Sequence, residues 1–592
     1  MKKFIVFFSF SFLMSQVSFT GNTETRIGES KTGFYYNETL VNTNMQYENF
    51  VNWLQFEFSD PPELGRSLNG LRKLRMEYNN NNISLKMGDL YEIWNRGIIL
   101  NSIDDQAIDR DTGLRGLSFD YYSDTFTIQF ISGKAKVWQS SQYYFATPFS
   151  ERVHNYQTNY NLYGVNVNYA LDKHQGGVSF LQSKEVHPNS LADTLDVKNQ
   201  LLSGSYGFSN SFYDFYAEYI MNRSFEINDD EEYYEDHAEG RGFYGNLNLY
   251  LNLFSLNIEY INYHFGALDP LNRWDQVSNY GLFQPYQNPP IAMNIHEYVL
   301  MNRISHQTDF NNEVGFKFEI MGMLAENIDF LGVYSFSSRS NPWVMSSEDY
   351  SWKKDGDPSY LPTSDKSATP FRDIYGELEF HLLEGRMHLK AGYADSYDVT
   401  DVTFYLKTDS SSSMNYMLIS GNTLPLHMGM SLGDGWSIHA KVETQWLKKG
   451  FGRVETLNGE TVIDTFYSDF YDDDNGNGFP DDGEFLDFET NRFISISVGK
   501  SPKWSLALSI DQTDISETGS DNKHHLNPLE ELLGIDQTKN WVNMEFVYNV
   551  SHSMRLSLMY GSLKGGLICT NGVCRIIEPF NDGFKLGLTT VF

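Results

Sequence analysis

From about residue 22 onward, apolar and polar residues alternate along the chain with a period of two, the mark of strands whose two faces meet different surroundings. At the end of the chain Phe584, Leu586, Leu588, Thr590 and Phe592 share one face, and Lys585, Gly587, Thr589 and Val591 the other. The same alternation sets Tyr213, Phe215 and Tyr219 against Asp214, Tyr216 and Glu218, and Leu247 and Leu249 against Asn246 and Asn248. Charges within a strand collect on one face. Between strands, short turns such as Leu171-Asp172-Lys173, Leu383-Glu384-Gly385 and Gly433-Asp434-Gly435 alternate with long loops near 90–112, 138–156, 188–197, 224–238, 265–309, 340–368, 397–422, 449–488 and 513–540. Short turns on one side and long loops on the other are the layout of a transmembrane antiparallel β-barrel, with the long loops facing outward. Both termini then lie on the short-turn side and the strand number is even: about 22, or about 24 if the segments near 23–42 also pair.

Composition fits this all-β reading. Aromatics make up 15% of the chain while only 41% is hydrophobic. A helical membrane protein needs runs of about 20 apolar residues, and none occurs after the N-terminus. In a barrel every second residue meets lipid, and aromatic girdles sit at both interfaces. The soluble alternatives, a secreted β-sandwich array or a β-helix, would not give such one-sided loops, and the latter needs a short-period repeat that the chain lacks. A last strand ending in Phe592 resembles the C-terminus of bacterial outer-membrane barrels. That resemblance implies closure of the last strand on the first, and recognition of this strand by the barrel-insertion machinery. The expected location is the outer membrane of a Gram-negative bacterium, with membrane lipid around the wall. Met1-Lys2-Lys3 followed by an apolar core from Phe4 to Met14 reads as a secretory signal, cleaved after Ser15 or Thr20. We take 1–20 as signal peptide and 21–592 as barrel.

The net charge of -33, from 77 Asp+Glu against 44 Lys+Arg, disfavours nucleic acid as a partner. The two cysteines, Cys569 and Cys574, flank Thr570-Asn571-Gly572-Val573, whose Asn-Gly is a tight-turn signal. In an exported protein a disulfide pinning this hairpin tip is favoured over two free thiols.

One motif carries metal chemistry. Asp473-Asp474-Asn475-Gly476-Asn477-Gly478-Phe479-Pro480-Asp481-Asp482-Gly483-Glu484 fits the twelve-residue calcium-loop pattern. Oxygens of Asp473, Asn475, Asn477, Asp481 and Glu484, with the Phe479 carbonyl, would converge on one hard cation, and Gly478 permits the sharp turn. Pro480 and the lack of flanking helices make it an isolated structural Ca²⁺ loop inserted at about 449–488, and the alternative is a plain acidic, glycine-rich loop. The acidic run Asp229–Asp236 reads as a solvated loop. Asn527 to Gly534 reads as a short capped helix beside His524 and His525. No G-x-S-x-G, H-E-x-x-H or Walker A pattern occurs, so we nominate no catalytic residue and read the chain as a non-enzyme.

The strand pattern breaks in Met87-Gly88-Asp89-Leu90-Tyr91-Glu92-Ile93-Trp94-Asn95-Arg96-Gly97-Ile98-Ile99-Leu100 and on to Gly116. Two readings stand. The segment folds into the lumen and narrows it, with Arg96, Arg110 and Arg115 facing Asp104, Asp105, Asp109 and Asp111, or it is an extracellular loop laced with salt bridges. Gly88-Asp89, Tyr91-Glu92, Arg96-Gly97 and Leu114-Arg115-Gly116, together with Asn288-Pro289-Pro290, His296-Glu297-Tyr298, Leu300-Met301-Asn302-Arg303, Gly565-Gly566-Leu567 and Pro579-Phe580, resemble a family of uncharacterised outer-membrane barrel proteins from Bacteroidetes-like bacteria. The resemblance implies a membrane barrel and assigns no functional site. The expected function is to pass or bind a small-molecule solute through a partly occluded lumen. The alternative is a silent surface scaffold, or a partner of secretion or surface-assembly proteins. An outer-membrane hydrolase ranks below both. A TonB-dependent receptor is disfavoured because no plug-sized segment of soluble pattern precedes the first strands.

Overall fold

The computed structural model describes residues 17–592 apart from 140–151, 155, 189–193, 228–233, 266–282, 305, 342, 346–351, 355, 407–410, 458–459, 468–486, 516–539 and 571–572. Successive strands pair antiparallel with their neighbours all the way round. The first, Ser18–Ser30, closes on the last, Phe580–Val591, in a register that runs from Asn22 opposite Val591 to Ser30 opposite Gly583. Among the described residues the sheet holds 25 strands, of which Glu460–Tyr467 pairs there with the outer end of Trp436–Leu457 and with no other strand. The remaining 24 form the closed wall. The strands Ser18–Ser30 and Tyr35–Tyr47 do pair, which decides between the two expected counts. The first strand begins at Ser18, three residues before position 21, the expected start of the barrel.

The wall shows why the alternation looked as it did. Along Tyr156–Leu171, Tyr160, Leu162 and Asn166 are buried inward, while Tyr163, Val165, Val167 and Tyr169 are exposed outward. Outward aromatics gather near the short-turn rim: Phe19 stacks on Phe592, Phe50 meets Tyr78, and Trp436 lies edge-on to Trp504. All the short turns read from the sequence join strands on this rim.

Two sequence expectations change. The stretch 397–422 is mostly ladder, because Met387–Leu406 and Ser411–Gly433 stay paired out to Leu406 opposite Ser412. The connections near 188–197 and 224–238 are likewise mostly paired, out to Pro188 opposite Thr194 and Ile227 opposite Tyr234. The strand Met554–Leu563 ends short of the cysteine hairpin. Gly561 and Gly566, both at positive φ, break it, and Gly566–Thr570 pairs instead with Val573–Ile577.

Candidate functional site

The interior is filled from two places within the chain. The segment between Ile83–Leu90 and Leu114–Tyr122 packs against the inner face of the wall. Trp94, Ile98, Ile99 and Leu100 are fully buried in one apolar cluster with Leu162, Leu181, Leu201, Ile220, Tyr244 and Ile261, which lie on successive wall strands. The second segment, 283–312, joins Phe254–His264 to Glu313–Ala325 and lies against the first. Gln287 Nε2 donates to Ile98 O at 2.6 Å, Asn101 N to Tyr286 O at 2.7 Å and Asn288 N to Gly97 O at 3.1 Å. Gly97 has φ +82, and a side chain there would meet the Asn288 carbonyl at 2.8 Å. Tyr286 reaches Ser183 on the wall, and burial pushes its phenol well above the usual range.

Beyond Ala292 the second segment reaches the opposite wall, and its contacts become polar. His296 Nε2 meets Asp373 Oδ2 at 2.8 Å, and Tyr298 donates to Glu377 at 2.7 Å. The Glu443 carboxylate accepts from Val299 N at 3.0 Å and Leu300 N at 2.7 Å, at the start of the short 3-10 helix Met301–Arg303. Arg303 grips both oxygens of Asp511, with Nη1 at 3.1 Å from Oδ1. His306 stacks on Phe371 and lies between Asp398 (2.9 Å) and Glu313 (3.4 Å). Burial alone would depress its pKa, but those two carboxylates hold it up at about 10, so the ring is a cation at neutral pH.

These placements sort the expected constriction residues. Arg96 lies over the Tyr216 ring at 5.0 Å. Arg110 donates to Pro285 O at 3.1 Å, and burial lowers it to about 10. Arg115 pairs with Asp89 directly across two wall strands, with Leu117 and Met87 on the same outward face. None of the three arginines forms an ion pair with Asp104, Asp105, Asp109 or Asp111 among the described residues. Asp104 pairs instead with Arg72 and Lys73, and Asp111 with Lys73 at 3.1 Å. Asp105 caps Ala107 N, and Asp109 meets His154. A wall strand, Asn69–Asn79, supplied the partner cations that spacing within the segment could not reveal. Cys569 and Cys574 stand directly opposite each other in backbone register. Their side chains, the Asp473–Glu484 loop, residues 229–233 and the 522–534 stretch lie outside the described residues.

Where the first segment meets the remaining wall, a cavity of about 800 Å³ opens among the long-loop connections. Phe34, Trp138 and Phe580 give it apolar surface, and Arg26, Arg66, Arg72, Lys564 and Lys585 line it with Glu38, Glu57, Glu63 and Asp109. Arg26 is committed to Glu38 at 2.8 Å, Arg72 to Glu57 at 3.3 Å, and Lys585 to Glu63 at 2.7 Å. Arg66 and Lys564 have no carboxylate partner among the described residues. Arg66 lies 3.9 Å over the Trp138 ring and donates to His154 O. Lys564 donates to Thr513, and burial, with Arg303 nearby, lowers it to about 8. The cavity draws single residues from many strands, which no local motif announces. Among the described residues one serine lies within hydrogen-bond reach of an imidazole, Ser340 Oγ at 3.2 Å from His264 Nδ1; Ser396 donates to Asp373, the carboxylate that also holds His296, and not to the imidazole.

Several solved structures follow a similar course. They include the copper transporter OprC (9% identity, 98% of this chain and 81% of that one, TM-score 0.42), the siderophore receptor PirA from Pseudomonas aeruginosa (9%, 97% and 80%, 0.43) and the FrpB iron transporter from Neisseria meningitidis (8%, 98% and 83%, 0.41). At that similarity nothing about their cargo transfers. No curated protein matches the chain. A family model does match, over residues 7–477 and 486–592, and the chain therefore belongs to DUF6029, a family of unknown function.

Proposed function

We propose that this protein is an outer-membrane barrel of a Gram-negative bacterium that captures a small solute in the mouth cavity and passes it inward when the segments filling the lumen shift. The cavity carries the reading: it opens among the long-loop connections and is floored by residues of the first segment, Gln106, Ala107 and Asp109. Its chemistry favours a solute with an anionic group for Arg66 and Lys564, and a flat apolar body for Phe34, Trp138 and Phe580. In this reading the calcium loop and the Cys569–Cys574 hairpin tip belong to the same outer surface.

Planar-bilayer conductance tests it, with benzoate as probe. The expected result is a low conductance for the intact barrel and a much larger one when residues 92–112 are replaced by a short Gly-Ser link. Benzoate should reduce the larger current less in an Arg66→Gln variant. A shortened barrel as silent as the intact one would overturn transport and favour the surface scaffold.

A further inference from the structure

We infer that the lumen carries a transition-metal site at its short-turn end, made by His388, His427 and His439. The three imidazoles come from three neighbouring strands, Met387–Leu406, Ser411–Gly433 and Trp436–Leu457. His388 lies directly opposite Gly429, and Gly429 opposite His439, while His427 is two residues before Gly429. All three point inward. Tyr393 on the first strand, Leu424 and Leu426 on the second and Trp436 and Val442 on the third are exposed on the outer face, and His388, His427 and His439 each lie an odd number of residues from them, on the lumen face. On the same face, Lys390 binds Glu297 of the second inward segment.

The geometry is that of a ligand set. One nitrogen from each ring can be chosen so that all three lie within 4.8 Å of one another. The ring centroids are 5.5, 6.2 and 6.2 Å apart. Nitrogens bound tetrahedrally at ~2.0–2.1 Å from Zn²⁺ sit about 3.3 Å apart, so small side-chain rotations complete the set. Gly429 makes the convergence possible. A Cβ there would lie 2.3 Å from His388 Nε2 and 3.0 Å from His439 Nδ1.

A second observation points to a ligand. His427 Nδ1 is buried with no hydrogen-bond partner, and neither His388 nor His439 makes a hydrogen bond among the described residues. Buried polar groups are ordinarily satisfied, and imidazoles that serve as structural contacts usually show their partner, as His296, His306 and His381 do here. Three neutral nitrogen donors with one side open to the lumen suit Zn²⁺, Cu²⁺ or Ni²⁺ and not Ca²⁺ or Mg²⁺, which take oxygen. Three protein ligands leave the fourth position for water or a passing group. Lys441, directly opposite His427, adds positive charge that weakens the site relative to a closed structural one.

Full-length protein, purified in detergent with a tag free of histidine, tests the site by Zn²⁺ titration and by the visible absorption of bound Co²⁺. The expected result is one ion per chain above the background of the His388→Ala/His427→Ala/His439→Ala variant, with a tetrahedral Co²⁺ spectrum. Single alanine variants should bind about 100-fold more weakly or worse, beyond what loss of an outer partner costs. Gly429→Ala keeps all three ligands but crowds them, and should also weaken binding. Heat-modifiable gel migration reports whether each barrel is folded. Binding no greater than that of the triple variant, or binding that survives unchanged in His427→Ala and Gly429→Ala, overturns the site.

Discussion

The Trp94–Leu100 half of the first segment and the far half of the second are held by opposite means, with the charged contacts of the first segment gathered at its later part, where Asp104 and Asp111 meet Arg72 and Lys73. The first segment is seated by Trp94, Ile98, Ile99 and Leu100, all fully buried against aliphatic and aromatic residues of a continuous arc of wall. The far half of the second is seated by His296, Arg303, His306 and two backbone amides, each on a carboxylate of the opposite wall. An apolar seat is non-directional and indifferent to pH and salt. A seat of charges at low dielectric is strong while every partner is in place and fails sharply when one is lost. Within one lumen the first segment is therefore the fixed floor and the second the part suited to move. The second segment also touches the first along 284–288, so release of its far half need not disturb the floor.

The largest expected effect comes from attacking the floor. Trp94→Ala removes the biggest fully buried side chain of the cluster and should cost about 3–5 kcal/mol of local stability. It should raise both protease cleavage between 91 and 113 and bilayer conductance. An unaltered conductance, together with a protease-resistant segment, would show that the apolar seat is not what holds the floor.

The second prediction separates the two seats by pH. The pKa of His306 rises from an ordinary 6.5 to about 10 in the folded chain. A raised pKa contributes stability that is fully present below the unfolded value and is lost as pH climbs through the folded one. The far half should therefore be tightest below about pH 6.5 and loosen progressively toward pH 10. Hydrogen exchange, corrected for its intrinsic pH dependence, checks this. Protection at Val299 and Leu300 should fall across that window while protection at Asn101 holds. His306→Gln should remove the contrast and cost about 3 kcal/mol. Parallel pH responses at both seats would sink the distinction.

How much of this was legible depended on the range of the interaction. Alternation in single strands and the spacing of turns are local, so the barrel, its polarity and its closing strand could be read from residues such as Phe584 to Phe592. The break at Met87–Gly116 was local too. Its partners were not: Asp104 looked as if it faced Arg96 or Arg110, yet its cations are Arg72 and Lys73, brought there by strand pairing. The second segment announced itself only as Pro289-Pro290 and His296-Glu297 inside a long loop, and its seat on Glu443 and Asp511 lies well over a hundred residues away in sequence. Such contacts are properties of closure, which places distant strands on facing walls, and they have no period to detect. His388, His427 and His439 match no spacing motif for the same reason, since their common face exists only once three strands are in register.

The smallest expected effect serves as the control for both seats. The proposed calcium loop, Asp473–Glu484, belongs to the long connection between Trp436–Leu457 and Asp487–Lys500. In a twelve-residue loop of this type the last glutamate contributes both carboxylate oxygens, so Glu484→Gln should weaken Ca²⁺ binding by tenfold or more. The readout is calcium-dependent protection of 449–488 from protease, present in the natural chain and reduced in the variant. Neither lumen seat should respond, because one is apolar and the other is built from fixed cation–carboxylate pairs with no oxygen set of calcium type. Cleavage of the natural chain that is the same with and without calcium would remove the metal from this loop. A calcium-dependent change at Leu300 or Asn101 would instead mean that the outer loops and the lumen filling move as one, and the separation into a fixed floor and a releasable half would have to be redrawn.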